Sequence, residues 1–413
     1  MVTVSSDIGT GTHAAQTGTL NSASLGATAI SGSGTNFDPE FTTADLLIID
    51  HTTAGLHAYG ISAVTDDTNM TIVGGLVEAL SGGETPYKQG TLRDHATIAL
   101  WEAADGDGDG LGNDDCTGNY YNDSAGDEAV VINFSANSIV LTVPVGERHD
   151  GTEGTGARIV RTDQGQVLDE DVQMDTEWIE IDLNGNKGAP CLSNRSSNTA
   201  LNSTFKNMLV HGSSGKSAKG IYTADRAFSV QNTFIYDIKY TSTDGGNISA
   251  IAASVAKNLE VYNTTCHDIQ RNAASGLNSI ITFGDIAGVI LQNIIATDPG
   301  SSSDAVCYSI AAPATATVDH NLASDTTASG TGSLDSKTSA NQFVSNAAPY
   351  DLHIVTGADA KDVGTDLGTT PSGVEIDING RDRDAQGDTW DMGAHEFVAA
   401  AASGNPWYYY AQM

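Results

Sequence analysis

Five short phrases that share an Asn recur in the second half of the chain, and they restrict its fold more than any other feature. The phrases are FKNMLVHG, VQNTFIYD, VYNTTCHD, LQNIIATD and VDHNLASD, and their Asn residues are Asn207, Asn232, Asn263, Asn293 and Asn321. Successive Asn residues are 25, 31, 30 and 28 positions apart. A period of this length, with short apolar runs between polar turns, is typical of a solenoid.

The repeating region favours β-strands over helices. Helical solenoids need apolar residues at a spacing of about 3.6, and that pattern is nearly absent here. From about residue 128 onward, short apolar runs recur instead, such as AVVINF, SIVLTVPV and EWIEIDL. The chain has 39 Asp but only 13 Glu, together with 45 Gly, a composition that favours turns and strands. The sequence therefore predicts an all-β chain in which residues 128–397 form a parallel β-helix.

The five Asn residues are predicted to form a structural ladder rather than a ligand site. An Asn at a fixed turn position stacks on its equivalent in the next rung, and it can satisfy backbone groups that would otherwise be buried without partners. Contact with a ligand is the alternative interpretation.

The first 90 residues look like a separate module. Short strands such as DLLIID and MTIV alternate with turns such as DDTN, which predicts a small β-barrel or β-sandwich of about five strands. Residues 26–76 of this module resemble small β modules of bacteriophage virion proteins. That resemblance implies that residues 1–90 attach the chain to a particle.

The end of the repeating region carries a second resemblance. In EIDINGRDRDAQGDTWDMGAHEF, a D-x-x-G-R phrase is followed by D-x-G-A-x-E. This order resembles the terminal signature of many right-handed parallel β-helix proteins, a group that includes bacterial surface proteins, carbohydrate-active enzymes and phage tailspikes. The matching residues are Asp377, Gly380, Arg381, Asp391, Gly393, Ala394 and Glu396. The resemblance covers about residues 95–397, implies a right-handed helix and leaves the function open.

Residues 91–127 are interpreted as a linker with a short helix, HATIALWEAADG, and an acidic loop. The helix would pack Ile98, Leu100 and Trp101 on a neighbour. The loop, DGDGDGLGNDDC, matches part of an EF-hand calcium loop, with Cys116 where Glu is usual. We expect it to bind a structural Ca²⁺, the alternative being a solvated loop. The candidate ligands are Asp105, Asp107, Asp109, Leu111, Asn113, Asp114 and Asp115.

The sequence offers little evidence of catalysis. Arg148, His149 and Asp150 in GERHDG form one local cluster, and His267 and Asp268 in CHDIQR form another. Polysaccharide hydrolysis needs two carboxylates about 5–10 Å apart. Among 52 acidic residues such pairs arise by chance, so both clusters are interpreted first as turn and rung-stacking residues.

Charge restricts the partners. The formal net charge is −34, which argues against binding to nucleic acids and to anionic membranes. No secretory signal is expected from MVTVSSDIGTG, and no apolar run is long enough to span a membrane. Residues 398–413 are interpreted as an aromatic tail whose Trp407, Tyr408, Tyr409 and Tyr410 contact the β-helix end or another subunit, the alternative being a disordered tail.

Together these features predict a structural virion protein of a tailed phage or similar virus. It would be a tail fibre, a spike or a capsid decoration protein, made in the host cytoplasm. Its partners would be other virion proteins, further copies of itself, with a trimer as one form, and host surface glycan. The alternatives are a polysaccharide lyase or glycoside hydrolase, and a bacterial surface adhesin.

Overall fold

A computed structural model describes most of the chain. The described residues are 3–9, 12–51, 55–91, 95, 97–102, 115–123, 130–132, 138–161, 168–170, 174–185, 190–194, 203–214, 218–223, 227–240, 247–253, 258–271, 278–283, 288–310, 315–386 and 389–398. The chain forms two compact units, one from residues 9–96 and one from residues 1–8 together with 97–413.

The N-terminal unit is a β module. It contains α1 (Phe37–Glu40). The first strand of the chain, β1 (Thr3–Ile8), belongs to the other unit. The strands of this unit are β2 (Thr12–Ala15), β3 (Thr19–Leu20), β4 (Ala29–Ser33), β5 (Leu46–His51), β6 (Gly55–Asp66), β7 (Asn69–Ile72) and β8 (Tyr87–Thr91). In the described residues these seven strands pair antiparallel in the order β2-β8-β5-β6-β7-β4-β3. Their core includes Phe37, Leu47 and Ile49.

The larger unit begins with α2 (Ile98–Trp101) and continues with strands in groups of three. These strands are β9 (Asp115–Tyr120), β10 (Val130–Ile132), β11 (Ser138–Thr142), β12 (Arg158–Val160), β13 (Leu168–Glu170), β14 (Asp175–Glu177), β15 (Glu180–Asp182), β16 (Pro190–Asn194), β17 (Ser203–Lys206), β18 (Leu209–Ser214), β19 (Lys219–Thr223), β20 (Phe228–Gln231), β21 (Phe234–Tyr240), β22 (Ser249–Ala253), β23 (Leu259–Tyr262), β24 (Thr265–Arg271), β25 (Asn278–Phe283), β26 (Gly288–Gln292), β27 (Ile295–Thr297), β28 (Ala305–Ile310), β29 (Thr315–Asp319) and β30 (Leu322–Ala323). An antiparallel pair, β31 (Phe343–Ser345) and β32 (Asp351–Ile354), follows near the C-terminus.

Three parallel sheets run along this unit. Among the described residues, the first sheet has the order β1-β9-β11-β14-β17-β20-β23-β26-β29, the second β12-β15-β18-β21-β24-β27-β30 and the third β10-β13-β16-β19-β22-β25-β28. Each rung thus gives one strand to each sheet in turn. This pairing confirms the prediction of an all-β chain with a parallel β-solenoid.

The boundaries of the two units differ from those expected from sequence. The sequence predicts residues 1–8 to be part of the N-terminal module, but β1 pairs in parallel with β9 at the start of the first sheet. The solenoid strands also begin at Asp115 rather than at residue 128. Parallel pairing joins residues far apart in sequence, so a short N-terminal strand carries no local sign of the sheet to which it belongs.

The short helix of the predicted linker belongs to the solenoid unit. Thr97 caps α2 by accepting a hydrogen bond from the Leu100 amide at 3.2 Å. Ile98 and Trp101 are buried in the core, as predicted, whereas Leu100 is 53% exposed. With only one turn of helix, two side chains face the core and the third faces solvent.

The solenoid core lies between the three sheets. Inward-facing residues of successive rungs stack on one another, and Phe205 and Phe228 meet edge to face with ring centroids 6.3 Å apart. Outside, residues of the C-terminal segment pack on the second sheet, where Leu352, Ile378 and Ala394 share a cluster with Phe234 and Ile295. In the described residues, no helix has the length and apolar character needed to span a membrane.

Candidate functional site

The predicted Asn residues lie at the corner between the first and second sheets. Asn207, Asn232, Asn263 and Asn293 have positive φ angles between 44° and 57°, the left-handed region that Asn tolerates better than most residues. Strand register places them in one column. In each rung, the strand before the Asn and the strand after it both pair with the equivalent strands of the next rung.

The two ends of this column differ from the predicted alignment. Trp178 precedes Asn207 in the column, and His320 follows Asn293, both with positive φ. Asn321 therefore lies one position further on, where it donates to the Leu291 carbonyl at 2.8 Å. The phrase VDHNLASD has one more polar residue before its Leu than LQNIIATD has before its first Ile. Only the strand register therefore shows which of these polar residues lies at the corner.

The corner Asn side chains bind mainly to the C-terminal segment. Asn293 donates to Asn263 at 2.9 Å, the Asn-to-Asn contact of a ladder. Three further contacts are to backbone carbonyls: Asn207 donates to that of Asp377 at 2.8 Å, Asn232 to that of Gly373 at 3.0 Å, and Asn263 to that of Val374 at 2.9 Å. The column thus attaches residues 365–377 across successive rungs.

The terminal signature also has a structural role. Asp377 accepts hydrogen bonds from the amides of Asn379 and Arg381, while the buried Arg383 guanidinium forms an ion pair with Glu396 at 3.0 Å. Burial raises the pKa of Glu396 to about 7, although Arg383 opposes the shift. Arg383 lies two residues beyond the arginine of the predicted motif, so the ion pair was not foreseen.

Two predicted sites fall largely outside the described residues. Six candidate calcium ligands, Asp105, Asp107, Asp109, Leu111, Asn113 and Asp114, lie there, and so do Trp407, Tyr408, Tyr409 and Tyr410. Asp115, the seventh candidate ligand, begins β9. In the part of the chain that the structure describes, no group of three or more His, Cys, Asp or Glu side chains could hold a metal ion.

The GERHDG cluster is used for packing. Arg148 lies over the Trp178 ring at 4.5 Å and donates to the Val143 carbonyl at 2.9 Å. His149 is buried and donates from Nε2 to the Asn207 carbonyl at 2.8 Å. Desolvation by burial lowers the pKa of His149 to about 4, so the ring is neutral at physiological pH.

The second predicted cluster lies beside a groove on the second sheet. Strand register aligns one outward-facing side chain from each rung in a column: Asp182, His211, Tyr236, His267 and Thr297. The residues that directly follow the last four of these all have a positive φ: Gly212, Asp237, Asp268 and Asp298. The repeated endings HG, YD, HD and TD of the Asn phrases mark this second column in the sequence.

The floor of the groove holds a buried acid–histidine pair. Glu180 is fully buried; it accepts from His211 Nε2 at 3.1 Å and from the Gly154 amide at 2.8 Å. Burial opposes protonation of His211, but the hydrogen bond and charge of Glu180 outweigh it and raise the pKa of the imidazole. The His211 ring stacks on Tyr236, with centroids 4.9 Å apart and planes 7° apart.

The groove wall combines Lys239 and Tyr350 with two carboxylates. Lys239 forms ion pairs with Asp237 and, at 3.3 Å, with Asp268. Burial alone would lower the pKa of Lys239, but these carboxylates raise it. Tyr350, from the loop before β32, donates to Asp268 and lies 5.3 Å from the Tyr236 ring centroid.

The groove encloses a cavity of about 370 Å³. Its lining includes Glu153, Asp182, His211, Tyr236, Lys239 and Tyr350. Ser213 also borders it, but strand register aligns Ser213 with Ile238 and Ile269 of the solenoid core, so its buried hydroxyl faces away from the groove.

Sequence reasoning identified His267 and Asp268 at this face but missed Glu180, His211, Tyr236 and Tyr350. His211 and Tyr236 occupy the position of His267 in phrases that the sequence already aligns, so that alignment could have found them. Glu180 pairs with Leu209, two positions earlier in the strand, and lies before the aligned phrases. Tyr350 comes from a segment more than 80 residues later that folds back over the sheet. No local pattern predicts that contact.

The comparisons with known proteins found similarity among solved structures. Protein families and curated proteins gave no match to the sequence. Among solved structures, the tailspike protein gp49 of Pseudomonas phage LKA1 aligns over 73% of this chain and 72% of its own, at 10% identity and a TM-score of 0.19. The Gp54 tailspike of Acinetobacter baumannii bacteriophage AP22, in complex with A. baumannii capsular saccharide, aligns over 81% of this chain and 60% of its own, at 8% identity and a TM-score of 0.18.

Both of these structural neighbours are phage tailspikes. The assignment of a parallel β-solenoid rests on the strand pairing within this chain.

Proposed function

We propose that this chain is a virion structural protein of a tailed phage or similar virus, and that its solenoid binds host surface glycan in the groove of the second sheet. One observation carries the binding proposal. The cavity brings the Tyr350 ring, whose centroid lies 5.3 Å from that of the buried Tyr236, together with the carboxylates of Glu153, Asp182 and Asp237.

This combination suits a sugar. Sugar rings present apolar C–H faces that pack on aromatic side chains, and their hydroxyls hydrogen-bond to carboxylates and other polar groups. The second sheet repeats about every 4.8 Å from rung to rung, so an extended oligosaccharide can contact several rungs. The neighbouring cavity at Gln270, Asp298 and Asp325 lies on later rungs of the same sheet, with a volume of about 490 Å³.

The virion assignment depends on the N-terminal unit. Residues 26–76 resemble phage virion modules, and in this proposal residues 9–96 attach the chain to the particle. A tail fibre, a spike and a capsid decoration protein are all compatible with that arrangement. Labelling this protein on purified particles and imaging them would test it. Label on bacterial envelopes and none on particles would favour a surface adhesin.

The binding proposal is tested with Tyr350→Ala on an array of bacterial surface polysaccharides. Loss of the ring and of its hydrogen bond to Asp268 should weaken glycan binding at least tenfold, about 1.4 kcal/mol. Tyr222→Ala, on a different sheet, is the matched control and should bind like the wild type. Equal binding by Tyr350→Ala and wild type would contradict the proposed groove.

Cleavage of the glycan is a second candidate, favoured by the Glu180–His211 pair beside Asp182 and Asp237. A positioned histidine with a raised pKa can donate a proton to a leaving group, and a carboxylate can activate water. Release of new reducing ends from a bound polysaccharide, lost in His211→Gln, would establish cleavage. Binding without product would leave the protein as a receptor-binding solenoid.

A further inference from the structure

Three carboxylates and one guanidinium lie buried together in the terminal signature, and we call them the signature cluster. Asp377, Asp391 and Arg383 are fully buried, and Glu396 is only 3% exposed. Glu396 Oε2 accepts from Arg383 Nη1 and from the Asp391 amide, both at 3.0 Å, and the Glu396 amide donates to Asp377 Oδ2 at 3.1 Å. A single cation therefore offsets three buried carboxylates.

The surroundings of the signature cluster supply no second buried cation among the described residues. The neighbouring His395 is neutral, because its Nδ1 accepts from the Ile354 amide at 3.0 Å and burial lowers its pKa to about 2. On the solenoid side the cluster meets uncharged residues such as Asn232 and Thr265. Asp388 lies outside the described residues and would add to the negative charge. The other charged or titratable side chains nearby are exposed or partly exposed: Asp351, His353, Lys361, Asp362, Glu375, Arg381 and Asp384.

Glu396 can take up a proton without losing a hydrogen bond. Both carboxylate oxygens of Asp377 accept from backbone amides, and so do both oxygens of Asp391. In Glu396, Oε2 accepts from Arg383 and from the Asp391 amide, whereas Oε1 accepts no hydrogen bond from the described residues. A proton on Oε1 therefore displaces no donor and removes one of the three buried negative charges.

Attachment of the C-terminal segment changes the proton affinity of Glu396. In the attached segment, burial raises the pKa of Glu396 from 4.5 to about 7 against the opposing charge of Arg383. Detachment would return this carboxyl to water and to its ordinary pKa. The contribution of the proton to attachment is therefore complete below pH 4.5 and is lost as the pH rises through about 7.

We propose that Glu396 is a proton-dependent latch for the C-terminal segment. With a proton on Oε1, residues 365–397 are held on the solenoid, and without it, above neutral pH, they open more often. Gly393, three residues before Glu396, donates to the Asn293 carbonyl at 2.7 Å, so the charge of the cluster acts next to an attachment point. The latch is independent of glycan binding.

Hydrogen exchange of the full chain, followed by mass spectrometry at about pH 5.5 and about pH 8.5, tests the latch. After correction for intrinsic exchange rates, peptides from residues 365–397 should open at least about tenfold more often at the higher pH. Peptides from β20 and β21 are the internal reference and should show no such rise. Opening of residues 365–397 that is equal or rarer at the higher pH would overturn the proposal, whatever the variants show.

Two variants assign the effect to Glu396. Glu396→Gln keeps an acceptor for Arg383 but cannot ionise, so it should lose most of the pH dependence of opening. Asp366→Asn changes an exposed acid of the same segment and keeps the acceptor for the Gly368 amide, so it should retain the full dependence. The titration of His149 acts in the opposite direction and is common to all three proteins. A wild-type pH dependence in Glu396→Gln, or its loss in Asp366→Asn, would contradict the latch.

Discussion

His149 donates a hydrogen bond from Nε2 to the backbone carbonyl of Asn207 across 2.8 Å, joining an early turn of the solenoid to the first Asn of the corner column. The other ring nitrogen, Nδ1, accepts from the Gly151 amide at 3.3 Å. Since one nitrogen donates and the other accepts, the fold requires a neutral imidazole. Burial enforces the same state by lowering the pKa to about 4.

This arrangement predicts acid sensitivity. The pKa of His149 is about 4 in the folded protein and 6.5 in the unfolded chain, so only the unfolded state takes up a proton as the pH falls below 6.5. The contribution of the neutral His149 ring to the free energy of unfolding is complete above pH 6.5. It is lost as the pH falls towards 4, by up to about 3 kcal/mol.

Urea unfolding of wild type and His149→Gln, measured from about pH 7.5 to pH 4.5, checks this expectation. Gln can still donate to the Asn207 carbonyl but does not titrate. The variant should therefore lose less stability over this range than the wild type. Parallel pH profiles for the two proteins would show that His149 titrates normally in the fold.

The contact between Asn293 and the C-terminal segment predicts a stability effect. Asn293 donates to the Thr365 carbonyl and accepts from the Thr365 amide, both at 2.7 Å, and its φ is 57°. Asn293→Ala removes these bonds and forces Ala into a left-handed conformation, so we expect a loss of about 2–4 kcal/mol in the free energy of unfolding.

Asn293→Gly is the matched variant, because Gly adopts the same φ without strain but cannot form the side-chain bonds. Its loss should be smaller than that of Asn293→Ala. If both variants unfolded at the wild-type urea concentration, the corner bonds would contribute nothing to stability.

Gly393 is predicted to tolerate no side chain. Its φ is +91°, and a Cβ there would lie 2.6 Å from Thr265 Oγ1 and 2.7 Å from Ile295 Cδ1. Gly393→Ala should push the C-terminal segment away from the second sheet, costing about 2–4 kcal/mol and speeding proteolysis within residues 365–397.

Gly368→Ala is the control for Gly393→Ala, since Gly368 also has positive φ, +58°, but no atom lies within 4 Å of its added Cβ. It should cost about 1 kcal/mol from backbone strain alone. Equal protease resistance of the Gly393→Ala variant and wild type would argue against tight packing of this segment.

The acidic loop remains a proposed calcium site. Its alternating Asp105, Asp107 and Asp109 would repel one another without a cation, so Ca²⁺ should raise the melting temperature. Asp107→Ala should abolish that rise, whereas Asp304→Ala, an exposed acid outside the loop, should preserve it. Calorimetry that detects no Ca²⁺ binding to the wild type would eliminate the site.

The sequence by itself determined the solenoid, because a rung is a local unit. Apolar residues alternate along each short strand, and an Asn that tolerates positive φ recurs where Asn207, Asn232, Asn263 and Asn293 turn the corner. Stacking such rungs buries their apolar faces, so the period alone predicts parallel sheets. The local pattern was insufficient at the two ends of the column, where Trp178 and His320 rather than Asn residues occupy the corner.

Only the tertiary structure decided which side chains meet on the surface of that solenoid. Glu180, His211 and Tyr236 come from successive rungs, and their alignment depends on exact strand register. Tyr350 reaches them because the C-terminal segment folds back over the second sheet, and β1 joins β9 across more than 100 residues. These contacts bring together residues distant in sequence, so burial and pairing across the whole chain, rather than local pattern, determine the groove.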